Sequence, residues 1–262
     1  MHPILFRLGP LTIHTYGFLI AIGFLLGLWV ALIQAKKEGI PSDKMVDLAF
    51  YILLAAIIGS RLLFVLINLD HYLYNPIDIF KIWEGGLVFY GGVLLAVPAA
   101  IWYLKKNGLG VWSTADIFAP SIAIGHVFGR LGCFSAGCCY GKISQTLPWG
   151  IVFSDPDCLA PTNVPLHPTQ LYESAGEFLN FLLLIALRRH KSFDGELFMT
   201  YLLFYSVLRF IVEFFRGDVA RGFIIGGLSV SQGISIIMFA AASAGFFVLR
   251  RRNRREKKPD FL

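Results

Sequence analysis

Three arginines, Arg61, Arg130 and Arg209, stand inside otherwise apolar stretches of this chain. A charge within a membrane-length apolar segment costs roughly 2.5 to 3.5 kcal/mol on insertion scales, so each calls for an anionic partner or a function. Glu213 follows Arg209 by four residues, the spacing that sets both on one helical face, and Arg216 continues the stripe. Glu173 is the other carboxylate placed to help. Glu213 alone cannot neutralise three cations, and a phosphate would fill the deficit, because guanidinium groups match its oxygens bidentately. Arg130 also sits in the stretch 125–142, which holds His126, five glycines and three of the four cysteines. Glycines at that density weaken a helix and let other groups approach the backbone.

The elements that must position these groups are membrane helices. The chain is 56% hydrophobic and 15% charged, with mean hydropathy +0.66, whereas a soluble domain carries about 25% charged residues. It is expected to be an all-α, polytopic integral membrane protein of about seven transmembrane helices. The apolar runs predict spans over about 16–34, 46–68, 87–104, 114–131, from His167 to the Arg188-Arg189-His190-Lys191 run, 197–215 and 230–249. Residues 69–86 read as a loop with an interfacial helix, and 132–166 as a long polar outer loop. Residues 1–249 would then form one transmembrane domain, followed by a basic tail over 250–262. A Gly9-Pro10 turn precedes the first span, and the start lacks the pattern of a cleavable signal peptide.

Orientation follows from the basic residues. With the N-terminus outside, 15 of the 23 lysines and arginines flank the cytoplasmic ends of spans. Only Arg7, Lys81, Lys142, Arg216 and Arg221 flank the outer ends. This bias predicts an outside N-terminus and a cytoplasmic C-terminus. The tail would anchor topology and touch anionic membrane lipids. The net charge of +6 is thus a membrane-flank signal, and nucleic acid is not an expected partner. On this topology Arg61, Arg130 and Arg209 share the outer-leaflet depth, with Tyr16 and Tyr90 opening spans on the same side.

Seven segments in order resemble the bacterial prolipoprotein diacylglyceryl transferases. They are His14-Thr15-Tyr16-Gly17; Gly59-Ser60-Arg61; Glu84-Gly85-Gly86-Leu87 with Gly91-Gly92; and Asp116 to Pro120. Gly129-Arg130-Leu131-Gly132-Cys133-Phe134 with the Gly137–Gly141 turn, His167 to Glu173, and Arg209 to Arg216 complete the set. The resemblance implies transfer of the diacylglyceryl group of phosphatidylglycerol to the lipobox cysteine thiol of a prolipoprotein signal peptide. The product is a thioether, glycerol phosphate is released, and the location is the bacterial cytoplasmic (inner) membrane. It implies that Arg130 holds the phosphate, that Arg209 stabilises charge on the leaving phosphate, and that Glu213 orients Arg209. Tyr16 would position the headgroup, and Arg61, Gly129 and Arg216 would complete the substrate-binding set.

The acceptor thiol must lose a proton, since the thiolate is the reactive form. Much of the family carries histidine where this chain has Tyr90. Tyr90 would then hydrogen-bond substrate, and His126 or His167 would serve as base. Cys133 and Cys138 stand where family members often carry Asn and an acidic or amide residue. The cysteines leave three readings open: a disulfide from Cys158 to Cys138 or Cys139, small packing residues, or metal or covalent chemistry. Their C-x₄-C-C spacing fits common zinc patterns poorly, so no metal is expected. No organic-cofactor signature is present, and the chemistry needs no cofactor. A transporter or lipid-translocating protein with the same cationic cleft is the rival class, although the arginine segments show no inverted repeat. A family relative with another acceptor is the remaining alternative.

Overall fold

The computed structural model describes residues 2–8, 11–218, 222 and 227–256. The Gly9-Pro10 turn, Arg221 and the last two tail lysines lie outside the described residues. The chain is mainly helical: α1 (Thr15–Lys37), α2 (Ser42–Ile67), α3 (Leu69–Tyr74), α4 (Phe89–Lys106), α5 (Val111–Ala136), α6 (Thr169–Leu187), α7 (Glu196–Glu213) and α8 (Val230–Glu256). Two small antiparallel pairs join them, β1 (Ile4–Leu8) with β2 (Leu11–His14), and β3 (Ile151–Val152) with β4 (Pro165–Leu166). Each predicted span falls on one of the seven long helices. Four of these, α1, α2, α5 and α8, are long and apolar enough to cross a membrane. Polar side chains set α6 and α7 apart: α6 buries Gln170, Glu173, Ser174, Glu177 and Asn180, and α7 buries Arg209. Apolar side chains such as Leu25, Trp29, Leu94 and Ile237 stay more than 60% exposed, as expected where lipid is the solvent.

Two compact units divide the chain. The first comprises Met1–Ala31 and Ala115–Leu262, and the second Leu32–Thr114. In the second, α2 packs on α4 through glycines: a Cβ on Gly91 would overlap the Gly59 carbonyl oxygen, and the reverse holds for Gly59. Small residues permit such backbone approach between helices that have no water-driven attraction. Gly91→Val is therefore expected to destabilise the protein by about 1 to 3 kcal/mol, read as a lower unfolding temperature in detergent. Gly17→Ala, where a Cβ would meet nothing, should leave it unchanged.

In the first unit, α1 approaches α5 through Gly23 and Gly27, whose Cβ positions would press on the Gly125 and Ser121 carbonyl oxygens. Asp116 of α5, fully buried, accepts hydrogen bonds from the backbone N–H groups of Gly195 (2.8 Å) and Phe198 (2.9 Å). It thereby caps the α7 N-terminus from a neighbouring helix, and Lys191 balances its charge at 3.1 Å. Ser229 and Gln232 form a reciprocal capping box at the start of α8. The segment expected to be a polar loop is folded instead. Phe153, Ala160 and Leu166 bury together with Phe134, Tyr140 and Cys158 around the β3–β4 pair. Scattered prolines hid this small apolar core.

Candidate active site

Three helices each present two ionisable groups four residues apart: His126 and Arg130 on α5, Glu173 and Glu177 on α6, Arg209 and Glu213 on α7. That spacing aims both members of each pair from one face, and the faces converge on Glu173. Its Oε2 meets Arg130 Nε in a close ion pair, and its Oε1 meets Arg209 Nη1 at 2.6 Å and Arg216 Nη1 at 3.7 Å. The carboxylate is only 2% exposed. Arg209 Nη2 reaches Glu213 at 2.7 Å and donates to Ser231 Oγ at 3.0 Å. Arg216, just past the end of α7, lays its Nε and Nη2 on both oxygens of Asp218 at 2.9 and 2.7 Å.

The expected surplus of positive charge is corrected here. Arg130, Arg209 and Arg216 meet Glu173, Glu213 and Asp218 charge for charge. What remains open is geometric. Arg130 uses only its Nε, which faces Glu173 and donates to His126 Nε2 at 3.3 Å. Among the described residues nothing accepts a hydrogen bond from its Nη1 or Nη2. This leaves a planar fork, on a side chain 14% exposed, without a hydrogen-bond acceptor among the described residues. A fork of that kind can take two oxygens of a phosphate.

His126 is held through one ring nitrogen: Nε2 accepts from Arg130 Nε at 3.3 Å, while Nδ1 lies 3.8 Å from Glu177, which is fully buried. Tyr205 covers the ring at 5.2 Å. His126 thus orients Arg130, and its lone pair is engaged.

His167 sits where the chain crosses itself. Gly141 donates to the His167 carbonyl at 3.0 Å and bridges to Arg216, and Lys142 donates to the Phe215 carbonyl at 2.8 Å. A Cβ on Gly141 would overlap His167 and press on Phe215, so only glycine lets these strands meet. The His167 ring packs on Phe215, and Nδ1 lies 3.3 Å from the Tyr172 hydroxyl. Its Nε2 has no partner among the described residues. Tyr16 rests against Gly132, with its hydroxyl unpartnered among the described residues. Gly129 has open space on its Cα face, leaving room beside Arg130.

Arg61 and Tyr90 belong to the second unit. All five N–H groups of Arg61 donate to backbone carbonyls, those of Asp78, Ile79, Lys81, Gly85 and Gly86, at 2.5 to 3.3 Å. Phe64 and Tyr72 flank the guanidinium at 5.7 and 5.5 Å. With every donor used, Arg61 is a clasp for the segment before α4. Lysine has three donors from one atom and cannot reproduce this. Arg61→Lys should loosen the segment by at least one charge-assisted hydrogen bond, about 1.5 to 3 kcal/mol. Faster limited proteolysis within residues 76–87 is the measurement. Tyr90, in the first turn of α4, is 53% exposed, with Phe89 edge-on to its ring.

No disulfide joins the four cysteines, so the one expected from Cys158 is not formed. Cys158 packs in the small apolar core. The sulfurs of Cys133, Cys138 and Cys139 lie within 4.8 Å of one another. Sequence reasoning weighed Glu173 only as a counter-ion and missed Asp218, Ser231, Glu177 and Tyr205. Glu177 was legible in principle, since it repeats the Glu173 position one turn later.

Fold and site together define a helical integral membrane protein with a buried arginine–carboxylate cluster and an open guanidinium fork. A family model described as prolipoprotein diacylglyceryl transferase matches residues 3–248, and the chain belongs to that family. Curated relatives named phosphatidylglycerol--prolipoprotein diacylglyceryl transferase match along nearly the whole length. One from Bacillus velezensis is 34% identical, covering 98% of this chain and 96% of its own. One from Clostridium tetani is 38% identical, covering 90% and 93%. One from Geobacter sulfurreducens is 36% identical, covering 95% and 96%.

Proposed function

We propose that this chain transfers the diacylglyceryl group of phosphatidylglycerol to the lipobox cysteine thiol of a prolipoprotein, forming a thioether and releasing glycerol phosphate. The observation that carries the site is the unpaired Nη fork of Arg130 beside Glu173. The lipid phosphate is a diester with one negative charge, and cleavage of its bond to the diacylglyceryl carbon puts a second charge on it. Cations placed beforehand where that charge develops stabilise the transition state more than the ground state. Arg130 holds the phosphate and Arg209 faces the departing oxygen. Glu173, Glu213 and Ser231 fix both guanidiniums, and Arg216 lies 3.7 Å from the same Glu173 oxygen as Arg209.

Tyr16 and the open face at Gly129 give the headgroup its place. An apolar cleft of about 250 Å³ between α7 and α8, lined by Val207, Phe210, Ile236 and Phe239, lies one turn along from Arg209 and Ser231. It suits an acyl chain. The thiol proton goes to His167, whose Nε2 has no partner among the described residues, rather than to His126.

We read residues 1–249 as one domain of seven spans in the bacterial cytoplasmic membrane, with the N-terminus and the 132–166 lobe outside and the tail inside. The distribution of lysine and arginine supports this, as do the seven long helices. The test uses purified protein, phosphatidylglycerol and two lipobox peptides, one with cysteine and one with serine. The cysteine peptide should gain the diacylglyceryl mass with one glycerol phosphate released per peptide, and the serine peptide should gain nothing. Absence of the thioether while a family relative is active in parallel would overturn the reading.

A further inference from the structure

The mechanism above leaves three thiols unused. Cys133 lies in the last turns of α5, while Cys138 and Cys139 follow that helix, yet their three sulfurs lie within 4.8 Å of one another. Adjacent cysteines usually point apart. Here Gly137 and Cys139 both take left-handed backbone angles, φ +73° and +62°, which curl the chain back toward α5. A non-glycine residue in that region is strained and persists only where its surroundings hold it. The holding contacts are specific: Cys138 N–H donates to the Cys133 carbonyl at 3.1 Å. Thr169 Oγ1 donates to the Cys139 carbonyl at 2.8 Å, and Gln170 Nε2 to the Cys138 carbonyl at 2.7 Å. Both donors are buried at the start of α6, so the turn is clamped by the helix that carries Glu173. The three thiols are partly exposed, which gives an ion a way in.

We propose that Cys133, Cys138 and Cys139 form a three-sulfur site for a thiophilic divalent cation of the zinc class, with a fourth position open to an external thiol. Zinc–sulfur bonds of about 2.3 Å in tetrahedral geometry place ligand sulfurs roughly 3.8 Å apart. The three sulfurs, within 4.8 Å of one another, lie about 1 Å or less beyond that spacing. Three protein ligands and one open position is the arrangement of reactive zinc sites. Thiolates are the preferred ligands of such soft ions. The C-x₄-C-C spacing hid the site, because spacing rules presume ordinary backbone angles.

The open position deepens the proposed transfer reaction and rests on it. The site adjoins Gly132, against which Tyr16 rests. An acceptor cysteine entering there coordinates as thiolate, and His167 takes its proton. The sulfur forms the new bond to the diacylglyceryl carbon while the carbon–oxygen bond breaks, and the glycerol phosphate oxygen leaves with the electron pair. The resulting thioether, a neutral and weaker ligand, leaves the ion.

The test titrates reduced, chelator-treated full-length protein in detergent with Co²⁺. One equivalent should bind, with a sulfur-to-metal charge-transfer absorbance that Zn²⁺ abolishes. Cys133→Ser, Cys138→Ser and Cys139→Ser should each weaken binding by more than about tenfold, a loss that even outer-shell changes reach. Cys158→Ser should bind as the parent does. Should the serine variants fail to fold, the parent protein answers alone: Zn²⁺ should protect Cys133, Cys138 and Cys139 from alkylation, mapped by peptide mass, and leave the labelling of Cys158 unchanged. Absence of the charge-transfer band, equal alkylation with and without Zn²⁺, or a disulfide within the trio that forms in place of metal binding would overturn the site. A cysteine lipobox peptide, and not its serine counterpart, should shift the Co²⁺ spectrum. No shift would overturn the open position. Metal binding through the trio in a protein that makes no thioether would leave the site standing and sink the transferase reading instead.

Discussion

Replacing Glu173 with glutamine is expected to remove measurable transferase activity and to lower stability by about 3 to 5 kcal/mol, the range for breaking a buried ion pair from one side. The carboxylate is the shared anion of three guanidiniums, two of them close and one at 3.7 Å. Glutamine keeps the shape and loses the charge, leaving three cations to face two carboxylates in a buried place. Their mutual repulsion would turn the Arg130 fork away from the geometry that meets a phosphate and loosen Arg209 from its partners. Thermal unfolding in detergent and turnover on the folded fraction are the measurements. Glu213→Gln sets the scale and should cost less, because Arg209 keeps Glu173 and Ser231. A Glu173→Gln protein within 1 kcal/mol of the parent, a bound set from the same range, would show that the cluster is not held by this carboxylate.

Arg130→Ala is expected to reduce kcat/KM by about 10²- to 10³-fold, the loss typical of removing one preorganised donor from a site of developing charge. Arg130→Lys should recover little of it. An ammonium carries the charge but not the planar pair of Nη groups, and it cannot hold both His126 and Glu173 through a separate nitrogen. The comparison separates charge from shape. Lysine restoring activity to within about tenfold of the parent would mean that charge alone suffices and that the fork is incidental.

Much of this arrangement was legible in the residues. The long helices follow from apolar runs, and the Arg209–Glu213 contact follows from helical spacing. Arg130 stood out because an arginine beside five glycines in an apolar stretch has few uses. Glu173 as the hub was not legible, because its partners come from two other helices and no periodicity links them. Asp218 was invisible for the same reason: it lies beyond α7, where the chain turns to meet Gly141. The Arg61 clasp was not legible, because a sequence displays side-chain charge and conceals the backbone carbonyls that accept from all its N–H groups. The closeness of the three cysteines was not legible from their spacing, since the left-handed turn at Cys139 has no signal in residue type.

The central claim is that the Arg130 fork recognises the phosphate of the lipid donor. Native mass spectrometry of the purified protein with defined lipids tests it most directly, by comparing phosphatidylglycerol with diacylglycerol, which has the same acyl chains and no phosphate. The account predicts that Arg130→Ala loses most of the bound phosphatidylglycerol while its binding of diacylglycerol matches the parent. Equal retention of phosphatidylglycerol by the parent and by Arg130→Ala would contradict it.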